Sequence, residues 1–186
     1  MEDLLPILNT FQTIANDPVS TQELIDLLHP FPYKMSRSSN IQLKQNFDSM
    51  IGSFIYPLTS KVFGYLTPDY WNNPLAEVHE NLHKLHKSYI QFLDVLVVQG
   101  FEGVLTRDPV QLQSLLEGIL RSCEHSSPSL VRVSLNILKS LIEKGAGENP
   151  AFTNFAFERI IPLCFSLPSK GSFDPDDAFL KISGDD

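Results

Sequence analysis

SPSLVRVSLNILKSLIEKG, residues 127–145, decides the fold. Its inward positions fall at Leu130, Ser134, Ile137 and Leu141, and at Val131, Leu135, Leu138 and Ile142. Steps of three and four residues trace one face of an α-helix. Ser129, Arg132, Asn136, Lys139 and Glu143 occupy the other face. Ser127 stands where a capping residue belongs, and Pro128 takes the first helical position. Gly145 and Gly147 predict the stop, and Asn149-Pro150 a turn.

A second amphipathic segment follows, FTNFAFERIIPLCF at 152–165, with Phe152, Phe155, Ile160, Ile161 and Phe165 as its apolar groups. Two helices joined this closely are expected to pack antiparallel. Their stripes alone stay half wet, so the pair calls for further hairpins on either side.

Working outward, the chain supplies them. Residues 3–15 give a short amphipathic helix, broken at Asp17-Pro18. Ser20 with Glu23 three positions on forms a capping box for TQELIDLLH. Residues 29–39 are rich in proline and serine and predict an exposed loop. A long helical pattern runs over 40–66, with a kink expected at Pro57. Residues 74–99 carry a seam of Leu75, Val78, Leu82, Leu85, Tyr89, Phe92 and Leu96. Asp108 and Pro109 open a helix over 108–123. Asp174-Pro175-Asp176-Asp177 opens another, cut short at Gly184, so the chain reads as a piece of something longer. No segment sustains a period of two. The fold class is all-α: helical hairpins at 3–28, 40–99, 108–145 and 151–182, spaced like the ~40–47 residues of HEAT units and stacked into an α-solenoid.

Composition narrows the function. A formal net charge of -8 disfavours a free-standing nucleic-acid-binding domain, though it leaves room for a local basic strip. Cys123 and Cys164 read as two core thiols in a reducing compartment. MEDLLPILNTF lacks the basic start and apolar run of a secretory signal, and no stretch approaches the ~20 apolar residues of a membrane span.

One string looks catalytic. His79-Glu80-Asn81-Leu82-His83 matches HExxH, in which two histidines a helical turn apart hold zinc and the glutamate acts as base. Glu102 follows at a spacing that some zinc aminopeptidases use for a third ligand. On a continuous helix it lies about 28 Å from His83, at ~1.5 Å per residue, and no sheet edge is present to hold a substrate. His79, His83 and His86 therefore read as surface residues beside an apolar seam, and the chain as a non-enzyme without metal or cofactor. The basic residues are sparse but aligned. Arg132 and Lys139 lie seven apart, Lys144 follows near the helix end, and Lys84, Lys87 and Lys61 sit on earlier helices. Alternate helices of a solenoid share one surface, so these side chains could form a phosphate-facing strip; a solvated face of mixed charge is the alternative.

FTNFAFERIIPLCFSLPSKGSFDPDDA, with PSLVRVSLNILKSLIEKG before it, resembles a stretch near the C-terminus of the tRNA export receptors of the karyopherin-β (importin-β-like) family. The likeness lies in the aromatic-rich helix ending in I-I-P-L-C-F, the Leu-Pro turn and F-D-x-x-D-A. DLLPILNTFQTIA and SFIYPLTSKVFGYL are similar to earlier helices, Pro57 included. EKGAGENPAF departs from the family's glycine-rich, Trp-containing turn, and the 29–39 connector looks remodelled. The resemblance implies a non-enzymatic transport receptor that wraps tRNA when Ran GTPase carries GTP, meets nucleoporins in the pore and shuttles between nucleus and cytoplasm. It implies no specific contact residue, so Arg132, Lys139 and Lys144 remain the RNA-contact expectation from charge alone. A HEAT scaffold carrying protein cargo is the competing reading.

Overall fold

The computed structural model describes residues 17–144 and 150–167. The helices read at 3–15 and from Pro175, and the turn at Gly145–Asn149, lie outside the described residues. In chain order the elements are α1 (Pro18–Leu28), α2 (Phe31–Ser36), α3 (Ile41–Tyr65), α4 (Pro68–Asn72), a 3₁₀ turn (Glu77–His79) and α5 (Glu80–Val98). Then come α6 (Glu102–Thr106), α7 (Pro109–Cys123), α8 (Pro128–Glu143), α9 (Pro150–Phe155), a π-turn (Ala156–Ile160) and α10 (Ile161–Ser166). Among the described residues there is no strand.

Capping chemistry sets most boundaries. The Asp108 carboxylate accepts from the backbone N–H groups of Val110 and Gln111, ahead of Pro109 in the first turn of α7. Asn40 does the same for α3 through Leu43 N–H. Asp17-Pro18, read as a break, is instead the start of α1: Asp17 accepts from Val19 and Ser20 N–H, and the Ser20 hydroxyl donates to it. Ser127 is the N-cap of α8, but its hydroxyl pairs with Ser129 Oγ rather than with the helix. α5 ends in a Schellman turn. Gly100 adopts a left-handed φ of 84°, Phe101 N–H bonds Leu96 C=O at 2.8 Å and Gly100 N–H bonds Val97 C=O at 3.1 Å. That turn seats the buried Phe101 edge-on against Phe47.

Three further expectations are corrected. Residues 29–39 are not simply a loop, because Pro30 opens the short helix α2, whose Pro32 is buried. The pattern over 74–99 does not make one helix. The His79 ring bonds the Asn73 carbonyl at 2.9 Å, the chain passes through a 3₁₀ turn, and α5 starts only at Glu80. Leu75 and Val78, on the seam by spacing, precede that start and are exposed. Cys123 is buried but Cys164 is exposed.

The helices form two layers. α3, α7 and the α9–α10 arm make one; α1, α5 and α8 make the other. Within a layer neighbours run parallel. His83 of α5 stacks on His125 just before α8, and Val97 at the far end of α5 meets Lys144 at the far end of α8. In the other layer Tyr56 Oη donates to Leu105 C=O just ahead of α7, and Phe63, further along α3, lies against Gly118. These same-layer contacts join residues 47 and 49 positions apart, and the Arg159–Glu117 pair joins residues 42 apart. The 42 and 47 fall within the ~40–47 residues of HEAT units, and the 49 lies just beyond. Between layers, α3 and α5 run antiparallel, with Thr59 Oγ1 and Tyr89 Oη at 2.6 Å and Phe63 edge-on to Tyr89 at 5.6 Å. α5 is central: Leu85, Tyr89, Phe92, Leu93, Leu96 and Val97 have no exposed surface.

The stretch at 127–165 divides between these layers. α8 lies on α5 and α7, while α9 packs on α7 with Phe152 and Phe155 inward. Pro162 has no N–H for the Glu158 carbonyl, and its ring crowds that carbonyl. A π-turn absorbs the defect: Ile161 N–H bonds Ala156 C=O instead.

Candidate nucleic-acid interface

The outer face of α5 and α8 carries the aligned basic residues. Lys84 and Lys87 are exposed on α5, and Arg132 and Lys139 on α8. The two helices are parallel neighbours, so the four side chains share one surface. Lys84 pairs with Glu80 one turn back, which holds the Glu80 carboxyl below its usual range. Lys139 Nζ stands 3.8 Å from Glu143. Both are solvent-exposed i,i+4 pairs, weak because water screens them, so an incoming phosphate can displace them. Ser129 and Asn136 add hydrogen-bonding groups between the bases, also exposed. Lys144 differs. Its ammonium donates to the Val97 carbonyl and lies 3.5 Å from Glu102, fastening the C-terminal ends of α5 and α8 together. Glu102, considered as a zinc ligand, is thus engaged with Lys144.

The HENLH histidines are not the surface residues that their spacing suggested. His79 is buried, with one ring nitrogen on Asn73 C=O and the other 3.2 Å from Asp69. His83 is half-buried and lies flat on His125, with ring centroids 5.3 Å apart. His86 is fully buried. Its Nδ1 is 2.9 Å from Tyr70 Oη and its Nε2 is 2.8 Å from Ser122 Oγ. Tyr70 Oη also meets His125 Nε2 at 3.1 Å, and Ser127 N–H donates to His125 Nδ1 at 2.9 Å. Burial holds both imidazoles below the usual histidine range, His125 at about 4. The same cause pushes the Tyr70 hydroxyl up. Among the described residues no three His, Cys, Asp or Glu side chains converge to hold a metal ion. Sequence reasoning missed Tyr70, Ser122 and His125 altogether. The available signal was four of the five histidines, with the one tryptophan, within 55 residues.

On the opposite layer a groove of about 720 Å³ runs between α3, α7 and α10. Phe63, Leu120 and Leu163 floor it. Arg121 lies over the Trp71 ring at 4.3 Å, and Arg159 forms a two-bond fork with Glu117. Its charges balance, unlike those of the α5–α8 face. No helix among the described residues is long and apolar enough to cross a membrane.

Comparison with known proteins points to a single family. A family model described as Exportin-T matches residues 40–182. The chain is 25% identical over 178 residues to Exportin-T of Mycosarcoma maydis, which covers 88% of this chain and 15% of that protein. It is 25% identical over 186 residues to Exportin-T of Dictyostelium discoideum, covering 95% and 17%. To Exportin-T of Homo sapiens it is 26% identical over 162 residues, covering 84% and 16%. The chain thus spans about one sixth of the length of the curated relatives it matches. No solved structure matches it.

Proposed function

The chain belongs to the Exportin-T family, and from that membership we propose that it is part of a nuclear export receptor carrying tRNA through the pore in a Ran-GTP-dependent complex. Its place is that of a structural segment of the solenoid, not a catalyst. The observation that supports the RNA reading is the face shared by parallel α5 and α8, where Lys84, Lys87, Arg132 and Lys139 stand together on an otherwise acidic chain. Such a strip reads phosphates and the shape of a folded RNA, not its base sequence. Arg132 and Lys139 are the central contacts in this proposal. Lys144 lies past the end of α8 with its ammonium already engaged, so it joins the strip only by exchanging the Val97 carbonyl for a phosphate. Ran and nucleoporins are engaged by the longer receptor, which moves between nucleus and cytoplasm.

The experiment is tRNA binding by a full-length receptor containing this segment, with Ran and a non-hydrolysable GTP analogue, as a function of salt. Arg132→Glu with Lys139→Glu should weaken the complex and flatten log K against log salt by about 0.9 for each lost phosphate contact, taking the duplex value. Unchanged affinity and slope would mean that this face points away from RNA. A Ran complex that forms readily but never takes up tRNA would favour a protein-carrying scaffold.

A further inference from the structure

The buried histidines form a chain whose proton positions can be deduced. Ser127 N–H can only donate, so His125 Nδ1 must accept. A neutral His125 then carries its proton on Nε2, which donates to Tyr70 Oη. The Tyr70 hydrogen goes to His86 Nδ1. His86 therefore also carries its proton on Nε2, donating to Ser122 Oγ, and the Ser122 hydroxyl donates to the Gly118 carbonyl at 2.8 Å. Each ring nitrogen has one role and one partner. A further proton on either ring would have to sit on Nδ1, facing the Ser127 N–H in one case and the Tyr70 O–H in the other.

The chain crosses four elements. Tyr70 belongs to α4, His86 to α5 and Ser122 to α7, and His125 lies in the turn before α8. The charged neighbours reinforce neutrality. From α5, His83 faces His125, and burial first and then the Lys87 charge disfavour a proton on it. From α7, Arg121 covers Trp71, whose ring stands 5.2 Å from His86 and 6.5 Å from His125. The Asp69 carboxylate at the rim is turned to His79, and Glu124, next to His125, is exposed to solvent. From α3, Phe63 stands edge-on to His86 at 6.4 Å.

We propose that this relay is a proton-operated clasp. With both imidazoles neutral, it holds α4 and Trp71 against the α5 and α7–α8 hairpins. Protonation of His125 breaks its bonds to Ser127 and Tyr70 together and releases α4, opening the Trp71 wall of the groove.

Histidine ¹⁵N NMR on the 186-residue chain reads the tautomers directly, and Trp71, the single tryptophan, reports the clasp. At pH 7.5 two of the histidines should show bare Nδ1 and protonated Nε2; His125→Asn and His86→Asn assign them. On acidification both should stay neutral to well below the ordinary histidine range of about 6.5. They should then protonate together, in the same step that moves Trp71 emission to the red, with the far-UV helix signal retained. Tyr70→Phe, which keeps the ring and cuts the relay, should raise the pH of that step. An Nδ1-protonated tautomer on either residue would overturn the proposal. So would proton uptake with Trp71 emission unchanged, or loss of the helix signal in the same step. If Tyr70→Phe does not fold, the wild-type titration decides alone.

Discussion

Gly118→Ala should destabilise the chain, while the same exchange at Gly64 should stabilise it. Both glycines lie within helices, where alanine is favoured over glycine by about 1 kcal/mol. Their surroundings differ. A Cβ at Gly64 meets nothing within 4 Å, so the helical gain is kept. A Cβ at Gly118 falls 2.2 Å from both Cε2 and Cζ of Phe63. Carbons sit comfortably at about 3.5 Å or more, so ring or helix must yield by about 1.3 Å. The Phe63 ring cannot retreat inward, since it stands edge-on to Tyr89 and His86. It must swing toward the groove, with overpacking strain of about 1–3 kcal/mol and loss of an aromatic contact worth about 1 kcal/mol. Subtracting the helical gain leaves Gly118→Ala about 1–3 kcal/mol less stable than wild type. The two variants, about 2–4 kcal/mol apart, should differ by roughly 4–16 °C in Tm, at about 2–4 °C per kcal/mol for a chain this size. Thermal and urea melts followed at 222 nm measure this. Adding Phe63→Ala should rescue Gly118→Ala, with a coupling of about 1–2 kcal/mol. If Gly118→Ala is as stable as Gly64→Ala, or the pair is additive, α3 does not stack on α7 at this level and the parallel layer is wrong.

Three further predictions concern other joints. Acidification from pH 7.5 to 5 should lower the urea midpoint, because His86 and His125 are held neutral in the folded chain while their unfolded counterparts take up protons below about pH 6.5. Stability is complete above that pH and falls progressively as the pH drops below it toward 5; a flat profile would refute the relay. Lys144→Met keeps the alkyl stem but removes the ammonium from the Val97 carbonyl, and melts should show a loss of about 1–2 kcal/mol. With a thiol reagent at pH 8, Cys164 should react at once and Cys123, pushed up to about 12 by burial, only after denaturation.

The helices with local signals were legible before any coordinates. Asp108-Pro109 and Ser127-Pro128 mark the starts of α7 and α8 in the sequence itself, and the pattern over 40–66 matches α3 to within a residue at each end. What escaped reading is what depends on distant partners. Leu75 and Val78 keep the seam's spacing, yet periodicity cannot show that the helix has not begun. His86 was read as surface because it is polar. It is buried because Tyr70, 16 positions away, and Ser122, 36 positions away, satisfy its two nitrogens. Gly118 carries no signal at all until Phe63 arrives from another helix. The basic strip was half legible: helical spacing aligns Arg132 with Lys139, but only the parallel stacking of α5 on α8 sets Lys84 and Lys87 beside them. Lys144, grouped with them by charge, turns instead to Val97.

The π-turn at Ala156–Ile160 has an evolutionary consequence. It holds one residue more than an α-helical turn, and the wide turn takes that residue up locally, so the helix beyond keeps its inward positions Leu163 and Leu167. Pro162 maintains the turn by denying the Glu158 carbonyl an α-helical partner. The exposed Phe157 lies within it. The segment is thus a place where chain length can change by one residue while the core positions after it, and the contacts of Phe152, stay as they are.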